Sequence, residues 1–337
     1  RIADLLDTAG SPDNRPVEHA LALALVRLQV SNDLGRLDED LVRLVEEASA
    51  RLRGTAVARD IVARADATCM IAYRNAFAFA EARACLERTD VAPLSARQAA
   101  VHASSLGQLA TFEGRWAEAR AHFDAARRGF QQVAALQGMH EAERDLAQVA
   151  CYAALVEMDD PAASSATVAA AVERVRGPLT AESVARWAVD DSDLYAHQAL
   201  LRYLCANLTR VRPLVDAYVA SMARSEADVD FGDAHPAPAI RLWRAILYRQ
   251  ARNRAAAAAE GEKASRSAAT WGTPLGRLVA WTALRVAGAE EAESAAAIAD
   301  ELPNWRARIL DAERAGAPTS FDSAVAQVRG LLPFYLA

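Results

Sequence analysis

Apolar residues along this chain of 337 residues return at intervals of three and four, with polar residues between them. Leu37, Leu41, Leu44, Val45, Ala48 and Leu52 are one such set. A turn of 3.6 residues puts all six on one face, so this stretch predicts an amphipathic helix. The intervening Arg43, Glu46 and Glu47 mix both signs of charge, as a solvated helix face does. Runs of β-branched residues alternating with polar ones are almost absent, and the chain is expected to be all-α. The most informative run is Leu106-Gly107, Gly114, Trp116, Ala119, Phe123 and Ala126. It predicts two helices packed as an antiparallel hairpin. Gly107 permits close approach, Gly114 makes the turn, and Ala119 lies where the helices cross. Phe123 and Ala126 continue the buried face of the second helix.

This run resembles the tetratricopeptide repeat, a family that stacks helix hairpins into a superhelix. Seven stretches are expected to form hairpins: 17–52, 55–88, 95–132, 138–176, 191–224, 239–269 and 274–302. A short extra helix is expected over 181–189, and a capping helix over 321–331. Tyr73, Phe79, Ala82 and Leu86 fall where the family places its aromatic and small residues, whereas Met70 stands where it has Gly. Pro161 is expected at the first position of a second helix, where its missing N–H costs nothing. The acidic, Gly- and Pro-containing stretch 225–238 is expected to be a loop. The hairpins step by about 42 residues against 34 for the strict repeat. In this they look like the extended repeats of large bacterial transcriptional regulators. The resemblance therefore implies a single right-handed α-solenoid of about seven hairpins spanning the chain.

Composition narrows the function classes. Hydrophobic residues make up 53% and aromatics only 6%, so the apolar share leans on Ala, which suits many closely packed helices. The net charge of −6 lacks the basic excess of a duplex-binding surface, and no direct nucleic-acid contact is expected. No apolar run is long enough for a membrane span. Cys69, Cys85, Cys151 and Cys205 form no CxxC pair and lie in apolar stretches, which fits core thiols in a reducing, cytoplasmic setting.

Local chemistry is sparse. Phosphate-binding glycine loops and zinc patterns are missing, and no cofactor or metal is expected. Asp190, Asp191 and Asp193 with His197 are the best local acids and base for an all-α enzyme with a pocket between hairpins. The simpler reading is an acidic helix N-terminus. Asp228, Asp230, Asp233 and His235 lack a calcium-loop frame, because position 239 is Ala where that frame requires Glu. The six tryptophans fit apolar helix faces or turns. In the tetratricopeptide family the first helix of each hairpin lines a concave groove that grips peptides. Carried over on the repeat frame, that role falls to Arg64, Arg74 and Asn75 in the second unit and to Ser104, Gln108 and Thr111 in the third. Helical periodicity alone adds Gln148, Arg202 and Arg244. Arginine suits such a groove because its planar fork can hold a carboxylate through two hydrogen bonds. The expected function is a non-enzymatic scaffold for a peptide or protein partner, as the sensor or interaction part of a bacterial regulator. A homodimer arm, marked by a large apolar patch, is the structural alternative.

Overall fold

The computed structural model describes residues 15–269, apart from 34–37, 56, 57, 77, 161, 190–193, 208 and 225–235, together with Ala283. Thirteen helices and no strand occur among the described residues. The chain is all-α. In order they are α1 (Arg15–Asp33), α2 (Glu39–Leu52), α3 (Arg59–Asn75), α4 (Phe79–Glu87), α5 (Ala96–Phe112), α6 (Trp116–Gln137) and α7 (Met139–Asp159). There follow α8 (Ser165–Arg176), α9 (Ala181–Trp187), α10 (Leu194–Ala206), α11 (Arg212–Arg224), α12 (Pro236–Gln250) and α13 (Arg254–Ala269). The expected seventh hairpin (274–302) and capping helix (321–331) lie outside the described residues. The chain divides into two compact units between Leu146 and Ala147, within α7.

Among the described residues of the first unit, the main helix contacts are between near neighbours in sequence. The pairs are α1 with α2, α3 with α4 and α5 with α6. The first helices also pack in series, α1 on α3 and α3 on α5, while α2 lies against α3 and α4 against α5. Leu21, Leu28, Leu52, Met70, Phe79, Leu109 and Phe123 are the large side chains buried between them. The α5–α6 crossing is the tightest. A methyl group added at Gly107 would sit 2.8 Å from the Phe123 ring, and one at Gly129 would sit 2.7 Å from the Ala100 methyl. Gly114 makes the intervening turn at φ +69°, a conformation that costs other residues energy. Ala119 and Ala126 are fully buried where the helices cross. Met70 is buried too, a large core side chain on α3.

In the second unit α12 packs along α13 and also contacts α10 and α11, while α8 meets α10 and α9 meets α11. Its core gathers Val184, Trp187, Leu200, Leu204, Tyr218, Trp243 and Ile246.

Several boundaries differ from the sequence expectation. Helix α8 starts at Ser165, because the Ser164 hydroxyl accepts the Thr167 N–H at 3.1 Å and supplies a stronger start than Pro161. Pro236 and Pro238 belong to the first turn of α12, where no intrahelical N–H is required. Helix α6 runs past 132 to Gln137, ending at Gly138.

Replacing Gly107 by Ala forces the new methyl into an aromatic ring that is itself packed. The expected loss is ~1–3 kcal/mol of stability in the first unit, read as a lower urea midpoint with unchanged slope. Adding Phe123→Leu to Gly107→Ala should recover part of that loss. An unchanged midpoint in Gly107→Ala would show that the crossing tolerates a methyl group.

Candidate functional site

Three of the nine sequence-selected residues meet in one place. Arg74, at the end of α3, is only 8% exposed and lies over the Phe112 ring, 4.8 Å from its centroid. Its Nη1 donates to Gln108 Oε1 at 2.5 Å, across to α5. Its Nη2 and Nε donate to Asn75 Oδ1 at 3.0 and 3.3 Å. Asn75 Nδ2 is buried and meets no hydrogen-bond partner among the described residues. The arginine therefore acts as a clamp between α3 and α5, and its position in the last turn of α3 also favours its charge. Thr111 lies one turn beyond Gln108, with its hydroxyl donating back to the Gly107 carbonyl at 2.7 Å. Ser104 is half-buried on the same helix.

The other residues lie apart from this cluster. Arg64 is exposed on α3, two to three turns before Arg74, and its Nη2 donates to Gln29 Oε1 of α1 at 2.8 Å. Close by, Asn32 Nδ2 donates to the Thr68 carbonyl at 2.9 Å. In the second unit, Gln148 Nε2 donates to the hydroxyl of Tyr152 on its own helix at 3.3 Å. Arg202 pairs with the Asp159 carboxylate and lies 5.9 Å over the Trp243 ring. Burial pushes the Asp159 carboxyl above its ordinary range, and Arg202 pulls it back. Arg244 is 1% exposed inside the unit, 3.7 Å from Glu260 and donating to Met222 Sδ at 3.3 Å. Arg244 is thus a core side chain, and Arg202 is half-buried against Asp159 and Trp243.

Two buried charge clusters in the first unit escaped the sequence reading. Asp66, only 2% exposed, is held by both Arg53 nitrogens at 2.9 and 3.1 Å and by the Thr89 hydroxyl at 3.1 Å. Arg88 lies 3.7 Å from the same carboxylate and 2.8 Å from Glu46, which also accepts the Tyr73 hydroxyl at 2.9 Å. Glu113, in the α5–α6 turn, is buried between Arg83 of α4 and Arg115. One signal for the first cluster was available: Asp66 interrupts the otherwise apolar face of Val62, Ala65, Cys69 and Met70.

All four cysteines are buried and reduced. Burial pushes the Cys85 thiol up to about 12, and those of Cys69 and Cys205 are raised as well. For these three, burial favours the protonated thiol over the thiolate. His197 is fully buried, its Nε2 2.8 Å from the Tyr218 hydroxyl, so it does not face solvent as a base. Asp190, Asp191 and Asp193 lie outside the described residues, as do Asp228, Asp230, Asp233 and His235. Among the described residues no group of three metal-binding side chains converges, and no helix is long and apolar enough to cross a membrane. Leu23, Val26 and Val30 form an exposed stripe on α1, while Val91, Leu136 and Val189 are scattered singly.

Compared with known proteins, the chain matches no family model, no curated protein and no solved structure.

Two measurements follow from this geometry. Gln108→Leu removes the acceptor that Arg74 Nη1 uses, and should destabilise the first unit by ~1–3 kcal/mol. Adding Arg74→Met should cost less than the sum of the two single changes, because the pair then leaves no widowed donor; additive losses in a double-mutant cycle would dissolve the clamp. The native thiols should also resist an aromatic disulfide reagent at mildly alkaline pH and react only after denaturation. Fast release from folded protein would contradict their burial.

Proposed function

We propose that this chain is a non-enzymatic helical-repeat scaffold that holds a peptide or protein segment along the first helices of its hairpins. On this reading it is a tetratricopeptide-like solenoid, and the interaction or sensor part of a bacterial regulator. The observation that carries the reading is a regular offset in the first unit. Polar links between successive first helices join Gln29 to Arg64, Asn32 to Thr68 and Arg74 to Gln108, which are 35, 36 and 34 residues apart. A nearly equal offset from α1 to α3 and from α3 to α5 is what a translational stack of similar hairpins produces, and such stacks present a continuous surface made of equivalent helices. The exposed polar groups on that surface include Arg64 and Gln29, and Arg97 of α5, which pairs with Asp145, with Ser104 half-buried one to two turns beyond it.

Peptides selected from a random display library on the purified chain supply the test ligands, and they should bind the wild type. Arg64→Glu should weaken the selected peptides about tenfold, ~1.4 kcal/mol, without a comparable loss in melting temperature. Arg43→Glu on α2, exposed on a second helix, is the control and should change little. Failure to enrich any peptide, or equal loss in both variants, would refute binding on this face. Arg74 is unsuited to this test, since its removal would disturb the α3–α5 contact directly.

A further inference from the structure

His102 lies on α5, the helix that carries Ser104, Gln108 and Thr111, and is only 8% exposed. Its Nδ1 is buried without a hydrogen-bond partner among the described residues. Helix α5 is packed by α3, α4 and α6. The charged and titratable groups acting on His102 among the described residues are Asp66 from α3 and His122 from α6. Asp66 would attract a proton to the imidazole, but its carboxylate is already held by Arg53 and Thr89, with Arg88 close by. His122 opposes it, and is itself half-buried between Glu118 and Arg115.

We propose that His102 is a proton-operated release for α5: mild acid places a charge in the seam between α3, α5 and α6 and loosens this helix. The proton must enter at a ring nitrogen. An imidazolium carries an N–H on both nitrogens, so Nδ1 becomes a buried donor with no acceptor. That adds the cost of an unsatisfied donor to the cost of a buried charge. Burial accordingly lowers the affinity of both His102 and His122 for protons, desolvation being the largest cause in each. The sign follows from linkage. The unfolded chain, with His near its ordinary 6.5, binds more protons than the folded one, so stability is full above that value and falls as the pH drops below it. The crossing at Gly107 has no slack to absorb the change, because Phe123 already fills it. The device needs no ligand and stands or falls independently of peptide binding.

The experiment compares hydrogen exchange of the α5 amides at about pH 7.5 and about pH 5, corrected for intrinsic exchange, in wild type and His102→Gln. Opening of α5 in the wild type should rise about threefold or more on acidification, and His102→Gln should remove most of that rise. An equal rise in both would overturn the proposal. Imidazole NMR on the wild-type chain gives a second measurement should His102→Gln not fold. A His102 titration midpoint below 6.5 supports the device, and a midpoint at or above 6.5 overturns it.

Discussion

The contact between α5 and α6 depends on a missing methyl group. With hydrogen alone on the Cα of residue 107, the Phe123 ring can lie in the space a Cβ would need. Ala100 and Gly129 repeat the arrangement further along the same pair of helices. Close packing of this kind leaves one depth and one rotation at which the helices fit. The consequence reaches beyond the crossing. Gln108 follows Gly107 directly, so fixing α5 against α6 also aims the Gln108 amide at Arg74 on α3. The polar cluster is therefore held by an apolar contact on another side of the same helix.

Charge contributes to this fold mainly through order and less through net energy. Exposed pairs such as Arg43 with Asp40 and Arg212 with Asp216 are each worth ~1 kcal/mol at most. Buried carboxylates such as Asp66, Glu113 and Asp159 are different, since removing one partner from such a pair costs ~3–5 kcal/mol. Asp66 takes Arg53 from the end of α2 and Asp159 takes Arg202 from α10, whereas Glu113 pairs with Arg83 of α4 and with Arg115 of its own turn. Disturbing the helix order would separate Asp66 from Arg53 and Glu113 from Arg83.

Helix positions were legible in the sequence because two signals coincide there: apolar spacing and turn residues. The stretch 95–132 shows both, and Gly107, Gly114, Ala119 and Phe123 have the packing roles that their spacing implied. Boundaries were less legible where several caps compete, as with Pro161 and Ser164. The candidate site was legible in part. The repeat frame assigns Arg74, Asn75 and Gln108 to the groove, and they do meet, but as a clamp with its back to solvent. A helical face is set by periodicity. Whether a long arginine side chain on its edge points outward or folds inward depends on neighbours distant in sequence, here Gln108 and Phe112. Asp66 was missed for the converse reason, since its partner Arg53 belongs to the end of a different helix.

The inward turn of Arg74 changes what the first-helix surface offers a partner. Had Arg64 and Arg74 both faced outward, α3 would carry two unshared guanidinium groups, suited to an acidic sequence. With Arg74 committed to Gln108 and Asn75, the surface retains the exposed guanidinium of Arg64 beside Gln29, that of Arg97 paired with Asp145, and the half-buried hydroxyl of Ser104. Neutral amides and hydroxyls pair with main-chain N–H and C=O groups as readily as with side chains. On the proposed reading, a segment held there would be gripped largely through its backbone, with a few charged contacts to set its position. Selectivity would then rest on the shape left between helices, and that shape returns to the depth at which α5 meets α6.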